Sequence, residues 1–380
     1  MMIAPISPLL PNPQFEVHAP GRVNLLGEHV DYNEGIVLPA AIDRYVHLQA
    51  VANDVERVEI TALDLGESVS FDLRNLQANA LPAWARYPAG VAWAAMQRGF
   101  KVSGIRAVFT STVPIGAGLS SSAAVEVAFG ALWNEINGWG LSRLSLAQLC
   151  QMAENRFVGV NCGLMDQFAS ACGVKNHALM FDTRSLEYEP VPLPAGTALV
   201  IADSGIRRTL AGSAYNQRRA DCEEAVRRLK VFLPSIHSLR DVTPEEFNRF
   251  APHLPAPVEQ HARHVVEEIA RVEKAVHFLK NGDGRAFGRL MLDGHASLRD
   301  LYEVSIAELD TLVEIAQDLP GCFGARMTGA GFGGCTINLV EEKAAENFVQ
   351  SLAAEYRART GLKAEIVLCH ASNGVTVTRG

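Results

Sequence analysis

The chain has 380 residues, 48% of them hydrophobic and 20% charged, with a formal net charge of −8. That length favours two domains over one and supplies ample material for a large core. The acidic balance, with no long Lys/Arg run, disfavours broad nucleic-acid binding, and no apolar run approaches a membrane span.

The N-terminal residues lack the basic and apolar regions of a secretory signal. Strands are predicted at 15–19, 46–51, 58–62 and 68–73, where β-branched residues alternate with Asp, Asn and Gly breaks. Helical periodicity covers 88–98, a strand follows at 105–110, and helices are predicted over 123–137 and 146–157. Strands return at 178–182, 186–191 and 198–202. Long amphipathic helices then occupy 211–229, 257–279, 284–298 and 305–317. The chain closes with strand 335–340, helix 343–360 and strand 364–369. PVPLPAG at 190–196 is the candidate linker. The expected fold class is α+β, with one domain over 1–193 and another over 197–380, rather than a single doubly wound sheet. The seven cysteines include no CxxC pair. This argues against a disulfide framework or a zinc site and for buried thiols in a reducing cytoplasm.

Four segments carry chemistry. GRVNLLGEHVDY, residues 21–32, places Arg22, Glu28, His29 and Asp31 among Val23, Leu25, Leu26 and Val30. Charged groups are seldom buried without partners, so such a mixture usually lines a site. Two carboxylates and an imidazole can each hold a hydroxyl of a polyhydroxylated ligand. PIGAGLSSSAA, residues 114–124, follows a predicted strand and opens a predicted helix. Gly116 and Gly118 let amides converge on an anion, and Ser120, Ser121 and Ser122 add hydroxyls. The helix start adds unsatisfied amides and the positive end of its dipole. The result is a phosphate cradle; a plain serine cap needs fewer of these residues. No GxxxxGKS or GxxxxGKT sequence occurs, so other cations or a metal must balance the phosphate charge.

MTGAGFGGC, residues 327–335, formally satisfies GxGxxG through Gly329, Gly331 and Gly334. It leads into a strand near the C-terminus instead of opening a helix, so the dinucleotide reading is disfavoured and a close backbone approach is expected. In AENRFVGVNCGLMDQF, residues 153–168, Glu154 lies on a predicted helix and Asp166 follows a loop containing Gly163. Asp166 is either a base in partly apolar surroundings or the cap of the helix QFASACG, and local sequence leaves both open.

Together these segments resemble the GHMP small-molecule kinases and, within them, the galactokinases. GRVNLLGEHVDYNEGIVLP is similar to the galactokinase signature, PIGAGLSSSAA to the ATP-phosphate loop, and RMTGAGFGGCTINL to the third GHMP motif. CGLMDQF, SAYNQRRADCEEA and HASLRDLYEVSIAELD extend the likeness over essentially the whole chain. The resemblance implies a two-domain GHMP-kinase-like fold with the active site in the interdomain cleft. It implies ATP-dependent phosphorylation of the anomeric hydroxyl of α-D-galactose, with Asp166 as base and Arg22 orienting it and stabilising the transition state. By the same resemblance the sugar is held at Glu28, His29, Val30, Asp31, Gly163 and Tyr215. ATP is held by Gly116, Ala117, Gly118, Leu119, Ser120, Ser121 and Ser122, and Mg2+ by Ser122 and Glu154. A Trp84–Tyr87 pair is similar to aromatic residues near adenine. Val30 stands where threonine is usual and Asn161 where proline is common; these changes either tune sugar choice or are neutral. The expected protein is a cytoplasmic monomer. The competing readings are a non-catalytic galactose/ATP sensor and a kinase for N-acetylgalactosamine or arabinose.

Overall fold

The computed structural model describes residues 10–114, 118–207 and 211–380. Its strands are β1 (Phe15–Asn24), β2 (Ile36–Val37), β3 (Pro39–Asn53), β4 (Arg57–Ala62), β5 (Glu67–Asp72), β6 (Gly104–Ser111), β7 (His177–Asp182), β8 (Tyr188–Pro192), β9 (Thr197–Asp203), β10 (Cys322–Thr328), β11 (Cys335–Glu341), β12 (Glu365–Cys369) and β13 (Thr376–Arg379). The helices are α1 (Arg86–Gln97), α2 (Ser121–Asn137), α3 (Arg143–Ala153), α4 (Met165–Cys172), α5 (Ala211–Leu229), α6 (Pro244–Phe250), α7 (Ala256–Lys280), α8 (Gly284–Asp300), α9 (Ala307–Asp318) and α10 (Ala345–Thr360).

A six-stranded sheet, in the order β13-β1-β3-β6-β4-β5, dominates the first half. All its neighbours are antiparallel except β4 and β6. Alternation along the strands sends Val17 and Ala19, Val46 and Leu48, and Ile105 and Ala107 into one core. Helices α2 and α4 pack on that face, with α1 and α3 outside them. The last strand, β13, returns to this sheet and pairs Val377 with Val17.

A second sheet, β10-β11-β9-β12, has helices on both faces. Leu199 and Ile201 of β9 pack with Val272 of α7 and Phe287 of α8. Ala198, Val200 and Ala202 pack with Leu312 of α9 and Phe348 of α10. A strand buried on both faces reads as an unbroken apolar run, which is why this one was legible. Val23, Leu25 and Leu26, at and beyond the end of β1, share the Leu199 core. The apolar half of the 21–32 segment therefore ties the two halves of the chain together. A small third sheet, β2-β7-β8, lies beside α7.

Several elements differ from expectation for identifiable reasons. The helix expected over 146–157 ends as α3 and widens into a π-helical turn at Glu154–Val158, a distortion frequent at functional sites. Strand β10 was not expected, because Gly324 and Arg326 interrupt its β pattern. A Cβ at Gly324 would lie 2.2 Å from the Gly288 carbonyl of α8, so helix and strand meet backbone to backbone. Helix α4 begins at Met165, two residues before the helix QFASACG weighed above. MTGAGFGGC is a hairpin tip between β10 and β11, with Gly329, Gly331, Phe332, Gly333 and Gly334 all at positive φ.

Candidate active site

Strand β1 delivers Arg22 and the loop after it delivers Glu28, His29 and Asp31. Arg22 is buried and grips Asp166 Oδ1 through Nε at 2.8 Å and Nη2 at 2.7 Å. Its Nη1 donates to the Gly118 carbonyl at 2.6 Å, and its amide donates to the Leu119 carbonyl at 3.1 Å. The guanidinium thus fixes both the carboxylate and the glycine-serine loop. Asp166 is the second residue of α4, and no side chain caps that helix. Its Oδ2 accepts from Ser120 Oγ at 2.5 Å. Asp166 therefore does not cap the helix; Arg22 and Ser120 hold its carboxylate.

Glu28 is buried and accepts from Asn24 Nδ2 at 3.0 Å, Thr328 Oγ1 at 3.0 Å and the Gly329 amide at 2.7 Å. It stitches the first motif to the third. His29 lies at φ +62°, with Nδ1 3.0 Å from the Tyr32 hydroxyl and Nε2 3.3 Å from the Ala330 carbonyl. Burial raises the Asp31 carboxyl to about 6, and the Asp166 charge adds to the effect. A Cβ on Gly163 would lie 1.8 Å from Asp31 Oδ2, so only glycine fits. Tyr215 of α5 places its ring centroid 5.5 Å from those of His29 and Tyr32. Val30 is different. Its side chain is fully buried in the first-sheet core, wedged against Gly35, and does not line the cavity. The β-branched side chain of Val30 is core, so a part for Val30 in holding the sugar falls to its backbone.

Gly116 and Ala117 lie outside the described residues. Gly118, Leu119, Ser120, Ser121 and Ser122 line the cavity, with Ser121 and Ser122 opening α2. Burial raises the Glu154 carboxyl to about 6, and Ser122, at the start of α2, lies beside it. Glu154 accepts from Gln167 Nε2 at 2.5 Å and from the Cys162 thiol at 3.2 Å. Gln167 was not anticipated, and its only signal was adjacency to Asp166. Behind it, Glu126 accepts from the same Gln167 Nε2 at 2.9 Å, and burial drives its carboxyl well up. Trp84 donates to Glu67 Oε2 at 2.6 Å and, like Tyr87, is not part of the cavity lining.

The cavity has a volume of ≈ 590 Å³, within the range of small-molecule sites, and Glu154, Gln167 and Glu126 lie outside its lining. Among its described lining residues Arg22 is the one Lys or Arg, facing the carboxylates of Glu28, Asp31 and Asp166. Such a donor set cannot by itself neutralise a triphosphate. The Ser122–Glu154 pair offers hard oxygens suited to a divalent cation, so these residues fit Mg2+.

A β-rich half and a helix-rich half that share one cavity, entered by a glycine-serine loop, define a GHMP-type kinase. The family model of the GHMP kinases N terminal domain matches residues 86–174, and that of the GHMP kinases C terminal matches 275–358. The galactokinase galactose-binding signature matches residues 11–51. The chain is 47% identical to a galactokinase of Roseiflexus sp. (strain RS-1), covering 96% of this chain and 93% of that one. It is 46% identical to a galactokinase of Chloroflexus aggregans, covering 94% and 92%. Among solved structures it matches Lactococcus lactis galactokinase complexed with galactose at a TM-score of 0.89 and 34% identity, over 95% and 94% of the two chains. Methanococcus jannaschii mevalonate kinase, at 19% identity and a TM-score of 0.69 over 94% and 98%, shares the fold. The chain belongs to the galactokinase family.

Proposed function

We propose that this chain transfers the γ-phosphoryl group of ATP to the anomeric hydroxyl of α-D-galactose, giving galactose 1-phosphate and ADP. The observation that carries the reading is the Arg22–Asp166–Ser120 cluster, set in one cavity with Asp31, His29 and Gly163. The comparison with the galactose-bound galactokinase supports the choice of sugar.

Phosphoryl transfer depends on positioning and on charge stabilisation. Asp31, His29 and the backbone at Gly163 hold sugar hydroxyls and turn the anomeric oxygen toward Asp166. Asp166 takes the hydroxyl proton, that oxygen forms a bond to the γ-phosphorus, and the bond to the bridging oxygen of ADP breaks. Arg22 holds Asp166 in two-nitrogen contact, which fixes the base, and its planar cation is suited to charge developing on the transferred group. The residues 116–122 and the start of α2 receive the phosphates. Ser122 and Glu154 would hold Mg2+, which neutralises phosphate charge when bound. Glu28, which lines the cavity, joins Asp31 and His29 at the sugar: Thr328 and Gly329 both donate to Oε1, so Oε2, with Asn24 as its one donor, keeps capacity for a sugar hydroxyl. On this reading the domains cover 1–193 and 197–380, with β13 added to the first sheet, and the cavity is the cleft between them. The seven free thiols support a reducing, cytoplasmic setting, and we take the protein to be a monomer. No described helix is long and apolar enough to cross a membrane.

Coupled ADP release measured across a sugar panel tests the reading. Galactose should give the highest kcat/KM, ahead of N-acetylgalactosamine and arabinose. No ADP above background with any sugar would replace the kinase with a sensor.

A further inference from the structure

The loop that carries Glu28, His29 and Asp31 is held in an unusual shape. Gly27 lies at φ +92°, His29 at +62° and Glu34 at +60°. A left-handed conformation is costly for a residue other than glycine and persists only where the surroundings over-determine it. Three main-chain groups just before His29 are gripped by fully buried side chains from α7 and β10. His264 Nε2 lies 3.2 Å from the Glu28 carbonyl, Glu268 Oε1 accepts from the Gly27 amide at 2.8 Å, and Arg326 Nη1 donates to the Leu25 carbonyl at 3.1 Å. His264 and Glu268 are one turn apart on α7 and so share a face.

The grip is internally fixed. Burial lowers His264 to about 4, so the ring is neutral near pH 7. The Ser297 hydroxyl lies 2.8 Å from His264 Nδ1. The Glu28 carbonyl can only accept, so Nε2 carries the proton and Nδ1 accepts from Ser297. Burial alone would raise the Glu268 carboxyl, but Arg271 and Arg326 outweigh it and hold it near 2. Glu268 and Arg326 pair at 3.1 Å with both side chains fully buried. A buried ion pair is a poor way to gain stability alone, since apolar packing of the same volume does as well or better; its best-attested use is to fix register. None of the three lines the cavity.

We propose that His264 and Glu268, together with Arg326, are positioning residues for sugar recognition, through which the C-terminal half holds the backbone of residues 25–29 in its strained shape. The proposal rests on the reading that Asp31 and His29 hold the sugar. Loosening the grip removes interactions made equally with bound galactose and with the transition state, so it raises KM for galactose and spares kcat.

The test uses the full-length protein and four variants. His264→Leu keeps volume without a donor, His264→Gln restores an N–H, Ser297→Ala leaves the ring without its partner, and Asp31→Asn is the control. His264→Leu should raise galactose KM about 5- to 30-fold, the scale of one charge-free but buried hydrogen bond. ATP KM and kcat should stay within about twofold, and His264→Gln should recover most of the loss. Ser297→Ala, the mildest change, should show the same pattern at smaller amplitude and keeps the test decisive where His264→Leu fails to fold. Suppose Asp31→Asn raises galactose KM while Ser297→Ala and His264→Leu leave it within twofold, or shift both KM values equally. The positioning proposal is then overturned and the site reading stands. A galactose KM unchanged in Asp31→Asn overturns both.

Discussion

Gly163→Ala probes the sugar side of the cavity with a single methyl group. The added Cβ would lie 1.8 Å from Asp31 Oδ2 and 2.7 Å from its Cγ, where ordinary contact begins at 3.4 Å. The shortfall of about 1.6 Å must be met by the side chain of Asp31 or by the turn beneath it. That turn is tied down, because the Asp31 carbonyl accepts from Thr183 Oγ1 at 3.2 Å and from the Glu34 amide at 3.3 Å. Gly163 is not in the left-handed region, so the penalty is steric and local. A misplacement of about 1 Å in a positioning group costs roughly 10²-fold in rate. We expect kcat/KM for galactose to fall about 100-fold and KM for ATP to stay within about threefold. Unfolding should show about 1–3 kcal/mol of overpacking at most. Steady-state ADP release, varying each substrate in turn, measures all of these except stability. A galactose kcat/KM within threefold of wild type would refute the tight Asp31–Gly163 contact, and an equal collapse for ATP would refute its locality.

Arg22→Lys keeps the charge but cannot span Asp166 Oδ1 and the Gly118 carbonyl together; kcat should fall about 10- to 100-fold with galactose affinity little changed, checked by single-turnover rates and calorimetry. Asp31 and Glu154 both sit near 6 because burial favours their neutral forms. Each loses its negative charge as pH falls through that value, so kcat/KM for galactose should decline below about pH 6. A profile flat down to pH 5 contradicts this. Val30→Thr, which restores the residue usual in galactokinases, puts a hydroxyl in a fully buried position. It should leave the sugar panel unchanged and shift stability by about 1–3 kcal/mol in urea melts. Altered sugar ranking would contradict the placement of Val30 in the core.

The site was legible where chemistry is concentrated in short motifs. Arg22, Asp31, Gly163, Asp166 and Ser120 to Ser122 all reach one cavity. The sequence could suggest that Arg22 and Asp166 meet, but not that Ser120 completes the cluster, because its αL backbone at φ 55° turns the hydroxyl to Asp166. The roles of Glu28 and Val30 also needed three dimensions. The Glu28 carboxylate takes three donors that stitch the first motif to the third, and two residues along the loop the valine turns into the core. Strand β10 and the His264–Glu268 grip left little trace in the sequence, because a buried Arg326 and glycines packed backbone to backbone erase the usual β alternation. Strand β13 is four residues long, and its partner lies at the opposite end of the chain.

The central claim is that Asp166 drives phosphoryl transfer to the anomeric oxygen of galactose. Phosphorus NMR of galactose with Mg-ATP, run with wild type and Asp166→Asn and paired with galactose calorimetry, tests it most directly. Wild type should yield α-galactose 1-phosphate, and the variant should form it about 10²- to 10⁴-fold more slowly while binding galactose within about threefold. Near-normal turnover by Asp166→Asn, or phosphate on another hydroxyl, would contradict it.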